Sequence, residues 1–367
     1  MRVSRLSLAA AFTVFSTVFS AGAIVGCSSD ESSGGSGGSN ATGGSAGSGN
    51  AGSGAAGGEG GAATGGTANG GAASGGTASG GSANGGSSSG GSSSGGSGAA
   101  LSCPTFADGV TVGNVANSQV TEASGLVASR KQSDVFWLHN DSGDSARVFA
   151  LKSDGSDLGV FNLTDASATD WEDIALGPGP DAGSDYLYLA DIGDNSAQRS
   201  FVTLYRVVEP TIGGGTQDLS GAEALEFEYP DGAHNAETLL SDPLTGDLII
   251  VTKGLVSSGI YRAAAPHAVG HTTLAYEGDA SGVMTQLVTG GDISPDGRYI
   301  ALRTYGAVHL YLRNSGVSVA DALKASPCEV PQAAEGQGEA VAFAADGKAY
   351  YTVSEGSAQP IWRFAKQ

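Results

Sequence analysis

Between Val120 and Phe364 the chain repeats one theme five times: an acid, a short apolar strand, a turn, a strand rich in Tyr, Leu and Val, a polar loop, then an aromatic strand. Glu122-Ala-Ser-Gly-Leu-Val leads to Val135-Phe-Trp-Leu-His-Asn-Asp and Arg147-Val-Phe-Ala-Leu; Glu172-Asp-Ile-Ala-Leu leads to Tyr186-Leu-Tyr-Leu-Ala-Asp and Leu204-Tyr-Arg-Val. Further copies open at Glu237, Asp292 and Glu339. The starting acids stand 50, 65, 55 and 47 residues apart, the length of a propeller blade of four antiparallel strands with variable insertions. Helical periodicity is nearly absent. The turns Asp242-Pro-Leu-Thr-Gly, Pro295-Asp-Gly and Ala345-Asp-Gly carry hairpin chemistry. A β-sandwich also uses many short strands, but it gives no reason for an acid ahead of one strand in each unit. The expected fold class is all-β, a β-propeller of five blades, with six left open because residues 263–289 have room for a degenerate unit. The repeats stop one strand short after Phe364. Val110-Thr-Val-Gly-Asn-Val is free to supply that strand and close the ring.

Chain length overstates the foldable part. Of 61 glycines in 367 residues, 31 fall in the first hundred. From Ser28 to Ala100 there are only Gly, Ser, Ala, Thr, Asn, Asp30, Glu31 and Glu59, which bury too little apolar area to offset ordering entropy. Three segments follow: residues 1–26 a signal peptide, 27–100 a disordered tether with an end-to-end distance of roughly 45–50 Å, and 101–367 the propeller. Seventeen basic against 37 acidic residues give a formal charge of −20, which excludes nucleic acid and an anionic bilayer surface as partners. A monomer is expected.

Arg2 and Arg5 precede the apolar run Leu6 to Val25, the layout of a secretory leader. The segment Ile24-Val25-Gly26-Cys27 resembles the lipobox of bacterial lipoproteins, which implies cleavage before Cys27, its acylation, and export with the membrane touched through the lipid alone. Ser28 and Ser29 stand where an Asp would resemble an inner-membrane retention signal, which favours the outer membrane. With Cys27 assigned to lipid, Cys103 and Cys328 remain, either as a disulfide in an oxidising compartment or as two buried thiols. The even pair flanking the domain favours the bond.

Propeller geometry sorts the polar residues. Acids before the inner strands, namely Glu122, Glu172, Asp173, Glu237 and Glu339, share a face with the loops Asn140 to Asp144, Asp191 to Asn195 and Ser354-Glu355. Asp292 falls inside its strand. The same face receives His139, Arg199, His234, Lys253 and Arg303. A ring of carboxylates repels itself unless cations sit there, and hard oxygen ligands suit Ca²⁺ or Mg²⁺. The candidate ligands are Asp141, Asp144, Glu172, Asp173, Asp191 and Asp194. The bland alternative is Asx capping and solubility. No EF-hand, zinc spacing, nucleophile elbow or dinucleotide fingerprint is present. Trp171 packs in the core or stacks on a ligand, and with His139 and His234 it completes the ligand-binding candidates.

Asp170-Trp-Glu-Asp-Ile-Ala-Leu with Leu189-Ala-Asp-Ile-Gly-Asp-Asn is similar to a motif of exported bacterial propellers. Ser124-Gly-Leu and Glu339-Ala-Val-Ala-Phe with Val353-Ser-Glu resemble blade openings and closings in phytase-like and esterase-like propellers. That resemblance implies carboxylate-bound Ca²⁺, with Glu237 or Glu339 as base and Arg199, Lys253 and Arg303 neutralising an ester. The scarcity of basic residues argues against a highly phosphorylated substrate. Three functions stay open: a module that binds a protein, glycan or small molecule on its acidic face; a metal-dependent phosphoester or ester hydrolase; and a glycosidase.

Overall fold

The structure, a computed structural model, describes residues 101–367. The expected signal peptide, Cys27 and the expected tether lie outside the described residues, within which no helix is long and apolar enough to cross a membrane.

Twenty-two strands form five sheets. Strand β1 (Val110–Asn114) precedes the first blade, which runs outward through β2 (Ala123–Ala128), β3 (Phe136–Asn140), β4 (Arg147–Leu151) and β5 (Asp157–Leu163). The second blade comprises β6 (Trp171–Pro178), β7 (Asp185–Asp191), β8 (Val202–Val208) and, after an excursion through β9 (Thr216–Leu219), β10 (Glu223–Glu228). The third holds β11 (Ala236–Ser241), β12 (Leu248–Thr252), β13 (Gly259–Ala263) and, beyond β14 (Gly270–Thr273), β15 (Ala275–Asp279). The fourth holds β16 (Val288–Ile293), β17 (Tyr299–Thr304), β18 (Ala307–Leu312) and, after a short helix α1 (Val319–Leu323), β19 (Cys328–Glu329). The fifth is β20 (Gly338–Phe343), β21 (Ala349–Ser354) and β22 (Pro360–Ala365), with β1 as its outermost strand.

Residues 263–289 hold no sixth blade: β15 completes the third, and β14 lies parallel to β10 on the second. Likewise β9 lies parallel to β5. These two added outer strands leave no trace in the repeat pattern. The expected closure is present, with Val110 opposite Arg363 and Thr111 opposite Trp362. Cys103 and Cys328 form a disulfide. Cys328 sits on the outer strand of the fourth blade, so the bond ties the approach to β1 across the seam between blades four and five.

Both faces of each inner sheet are buried, which explains why strands such as Leu248-Ile-Ile-Val read as continuous apolar runs rather than alternating ones. Successive side chains point to opposite faces. Ile250 therefore packs into the seam between blades two and three with Tyr188 and Leu239, while Ile249 and Val251 fill the next seam with Ile300 and Leu302. Trp137 and Phe161 meet Trp171 and Ile174 between blades one and two. Phe106 joins Phe343, Tyr350 and Phe364 between blades four and five, and Leu138 meets Val353 between blades five and one.

Every inner strand carries a register shift at the same end. In β6 the extra residue is Glu172, in β11 Glu237, in β16 Thr289 and in β20 Glu339; in β2 it falls at Ser124-Gly125. A bulge inserts one residue, bends the strand and re-aims its side chain. The hydroxyls clamp the neighbouring blade: Ser124 Oγ donates to the carbonyl of Glu172 at 2.6 Å and Thr289 Oγ1 to that of Gly338 at 2.8 Å. The three glutamates are left to line the mouth of the ring.

Candidate functional site

Loops between second and third strands fold back over the inner-strand entrances. The Asp141 N–H donates to Glu122 O at 2.8 Å, Lys253 N–H to Asn235 O at 2.9 Å, Gly193 N–H to Asp170 O at 3.1 Å and Glu355 N–H to Gln337 O at 3.1 Å. The bulged glutamates and the loop acids are thereby brought to one mouth.

The tightest convergence there joins Asp141, Asp170 and Glu172, each with a carboxylate oxygen within 4.8 Å of the others. Three observations make this more than an acidic patch. Glu172 is only 3% exposed, and among the described residues nothing donates a hydrogen bond to its carboxylate. Gly193 leaves the space: a Cβ at that position would lie 2.2 Å from Glu172 Oε1 and 2.3 Å from Asp170 Oδ2. Asp170 is also held in place, because Asp191 accepts the backbone N–H groups of Thr169 and Asp170 at 3.0 and 3.1 Å while Arg199 Nη1 donates to Asp191 Oδ1 at 2.7 Å.

The electrostatics agree. Burial pushes the Glu172 carboxyl far above the ordinary range, and the nearby charges of Glu237, Asp141 and Asp170 add to this. Burial raises Glu339 to about 9, with Glu237 contributing, and burial likewise raises Asp170 and Glu355. Burial raises Glu237 too, against the opposing pull of Lys253. Burial would lower the Lys253 ammonium, but its ion pair with Glu237 and a 2.7 Å bond to Tyr305 Oη outweigh that and raise it. Six carboxyls therefore face the mouth, with Lys253 and Arg199 the cations beside them.

Of the residues predicted from sequence, Asp141, Glu172, Glu237, Glu339 and Lys253 come together here, with Arg199 behind Asp191. Others are occupied elsewhere. Asp173 lies one residue beyond the bulge and points into the ring, where Oδ2 accepts the N–H groups of Leu239 at 2.8 Å and Gly291 at 3.3 Å. Asp292 does the same for Phe343 at 2.7 Å. Asp144 is clamped by Arg147 and Asn140. Asp194 accepts the N–H groups of Gln198 and Arg199, both at 2.7 Å, shaping its loop. Arg303 is 1% exposed and paired at 2.6 Å with the equally buried Glu335, withdrawn from the mouth.

Trp171 belongs to the core: it is 2% exposed, donates to Ser167 O at 3.0 Å and packs edge-on against His139. His139 is fully buried, with Nδ1 2.7 Å from Asn140 O, and burial lowers its pKa. His234 stands in a separate aromatic hollow. Sequence reasoning missed Asp170, Tyr305 and Glu335. The signal for Asp170 was its place two residues before a bulged Glu; Glu335 gave none, being linked to Arg303 only through the fold.

No protein-family model matches the chain, and no curated protein does. Among solved structures, the chain is similar to XC5397 from Xanthomonas campestris, a gluconolactonase, at 10% identity over 73% of this chain and 96% of that one, with a TM-score of 0.43. It is also similar to the PQQ-bound aldose sugar dehydrogenase of Streptomyces coelicolor, at 13% identity over 72% of this chain and 100% of that one, with a TM-score of 0.41. Likenesses this distant bear on neither activity nor ligand.

Proposed function

We propose that the mouth of this propeller binds a divalent cation, Ca²⁺ by the hardness of its ligands, and that the site hydrolyses a small uncharged ester. The observation that carries the reading is the convergence of Asp141, Asp170 and Glu172, with a buried Glu172 carboxylate that lacks a hydrogen-bond donor. Burial, and then repulsion among carboxyls within 4.8 Å of one another, makes ionisation costly and raises Glu172 and Asp170; a cation held by all three removes that cost. The cation supplies Lewis-acid polarisation of a carbonyl and lowers the pKa of a bound water.

The chain's own residues divide the remaining work. Glu339, held near 9, carries its proton at neutral pH and suits delivery to a leaving group. Glu237, raised by burial to about 7 against the opposing pull of Lys253, exchanges its proton near neutral pH and suits proton abstraction. Lys253 and Tyr305 fix Glu237 in place. With six carboxyls around the mouth and both flanking cations already paired, a polyanionic phosphoester is disfavoured. Three converging carboxylates also differ from the opposed pair of a glycosidase.

The test is thermal unfolding of the full chain in EDTA and then with Ca²⁺, Mg²⁺, Mn²⁺ or Zn²⁺, alongside the Glu172→Gln variant and an ester screen. A Ca²⁺-dependent rise in midpoint, absent from the variant, with turnover that needs the metal, supports the reading; no shift with any ion overturns it.

A second reading, a non-catalytic binding module, is favoured by the loop tip beside Lys253, where Leu255 and Val256 are 77% and 74% exposed. Metal binding without turnover on any ester would favour it. Export and acylation of Cys27 belong to the same proposal, and mass spectrometry of the peptide carrying Cys27 tests them.

A further inference from the structure

Beside Lys253, the loop entering β11 and the outer strands of the third blade line a half-open cavity of about 310 Å³, the size of a small ligand site. One wall is aromatic, made by His234, Tyr261 and Tyr276. The rings of His234 and Tyr261 lie 5.2 Å apart, tilted by 39°, and those of Tyr261 and Tyr276 lie 5.2 Å apart, tilted by 45°. Tyr229 backs them edge-on, 4.8 Å from Tyr261 and 5.1 Å from His234. Tyr276, at 48% exposure, presents an open ring to the cavity.

Charge on this wall is negative. Asp231 accepts from Tyr261 Oη at 2.9 Å and lies 3.1 Å from His234 Nε2. Burial acts to raise its carboxyl, but these bonds win and hold it below the ordinary range. Asp279 lies beside Tyr276. The one ammonium on the cavity wall, Lys253, is drawn away to Glu237 and Tyr305. Tyr261 Oη donates to Asp231, and His234 Nε2 sits between them, 2.9 Å from Tyr261 Oη and 3.1 Å from Asp231. A ligand here meets the rings of Tyr276 and His234 and the carboxylates of Asp231 and Asp279, an environment that favours a cation over an anion.

We infer that this cavity is a binding site for a small organic cation, a quaternary or methylated ammonium group held against the accessible rings of Tyr276 and His234, which the buried Tyr261 backs, and balanced by Asp231 and Asp279. Such a cation keeps little hydration to lose, is attracted by the ring quadrupoles, and needs no hydrogen-bond acceptor. The site is independent of the metal reading, since Glu172, Asp170 and Asp141 take no part in it.

Calorimetric titration of the full chain with choline, against its uncharged isostere 3,3-dimethylbutan-1-ol and against methyl glucoside, tests the assignment. Saturable choline binding is expected, with the isostere weaker by about tenfold. Tyr276→Ala and Asp279→Asn, both at exposed positions, are each expected to weaken choline to a similar degree. Glu172→Gln is expected to leave choline affinity unchanged, which separates this site from the mouth. Equal binding of the isostere, preference for the glucoside, insensitivity to Tyr276→Ala, or no saturable choline binding would each overturn the proposal.

Discussion

Arg199 Nη1 lies 2.7 Å from Asp191 Oδ1, and the same Asp191 carboxylate holds the backbone N–H groups of Thr169 and Asp170. The ion pair thus acts on Asp170 through the chain that carries it. Asp191→Asn and Arg199→Lys should leave the fold intact while weakening the proposed metal affinity by about 10–100-fold, the usual effect of removing a partner that orients a ligand. Calorimetric titration with Ca²⁺ measures this, and unchanged affinity would deny Arg199 and Asp191 a positioning role.

Gly193 allows the carboxylates of Asp170 and Glu172 to approach. Gly193→Ala would put a methyl within 2.4 Å of both, so the ion-dependent rise in unfolding midpoint should vanish. Glu172→Gln should abolish the same rise for a different reason. In EDTA it should unfold at a higher temperature than the parent, because an amide replaces a buried carboxyl that lacks a donor. Melting curves of both variants, with and without Ca²⁺, separate the two effects.

Stability of the metal-free protein should fall with rising pH. Burial first, then Glu237, raises the Glu339 carboxyl from its ordinary 4.5 to about 9, so the folded state binds this proton more tightly than the unfolded state. The contribution is complete below pH 4.5 and is lost as pH climbs to about 9; Glu172 and Glu237 shift in the same direction. Urea midpoints in EDTA at pH 5, 7 and 9 should decline in that order, and Glu339→Gln should flatten the trend. Metal affinity should rise over the same range, because ligands must shed protons to bind.

On the opposite face, Arg313 bonds both oxygens of Asp242, at 2.7 and 2.8 Å, from a buried position, linking the fourth blade to the β11–β12 turn. Arg313→Ala leaves a buried carboxylate without its partner and should cost about 3–5 kcal/mol. Arg313→Met with Asp242→Leu should recover much of that. Chemical denaturation of the single and double variants measures both.

Breaking the disulfide releases a link between Cys103 and Cys328, which stand 225 positions apart. In the chain-entropy model its loss costs about 5 kcal/mol. Replacement of both cysteines by serine should lower the unfolding midpoint accordingly, and hydrogen exchange should speed up first in β1 and β19.

Much of this architecture could be read from the acids that open each repeat and the Asp-Gly turns that follow, because strand length and turn chemistry are local properties. Ring closure by Val110–Asn114 was legible for the same reason: one unit lacked a strand and one strand lacked a unit. Side-chain direction was not. Glu172 and Asp173 are adjacent, yet one faces the mouth and the other the ring interior, since a single-residue step reverses a strand's faces and the bulge that decides which residue goes where has no fixed composition. For Trp171 the sequence leaves core and mouth both open, and the packing decides for the core, sending it into the seam. Arg303 looked like an anchor because Glu335, which neutralises it, is brought to it by the packing of blade five on blade four.

Since β1 hydrogen-bonds to β22, the earliest strand of the domain stays unpaired until Pro360–Ala365 has been made. Blades two to four can assemble from neighbouring sequence, but the last sheet must wait for both ends of the domain. That delay gives the folding reaction a high contact order and a late, all-or-none completion step. Any chain cut short before β22 would present two open sheet edges, and so would be marked for proteolysis or aggregation rather than persist as a partly working ring.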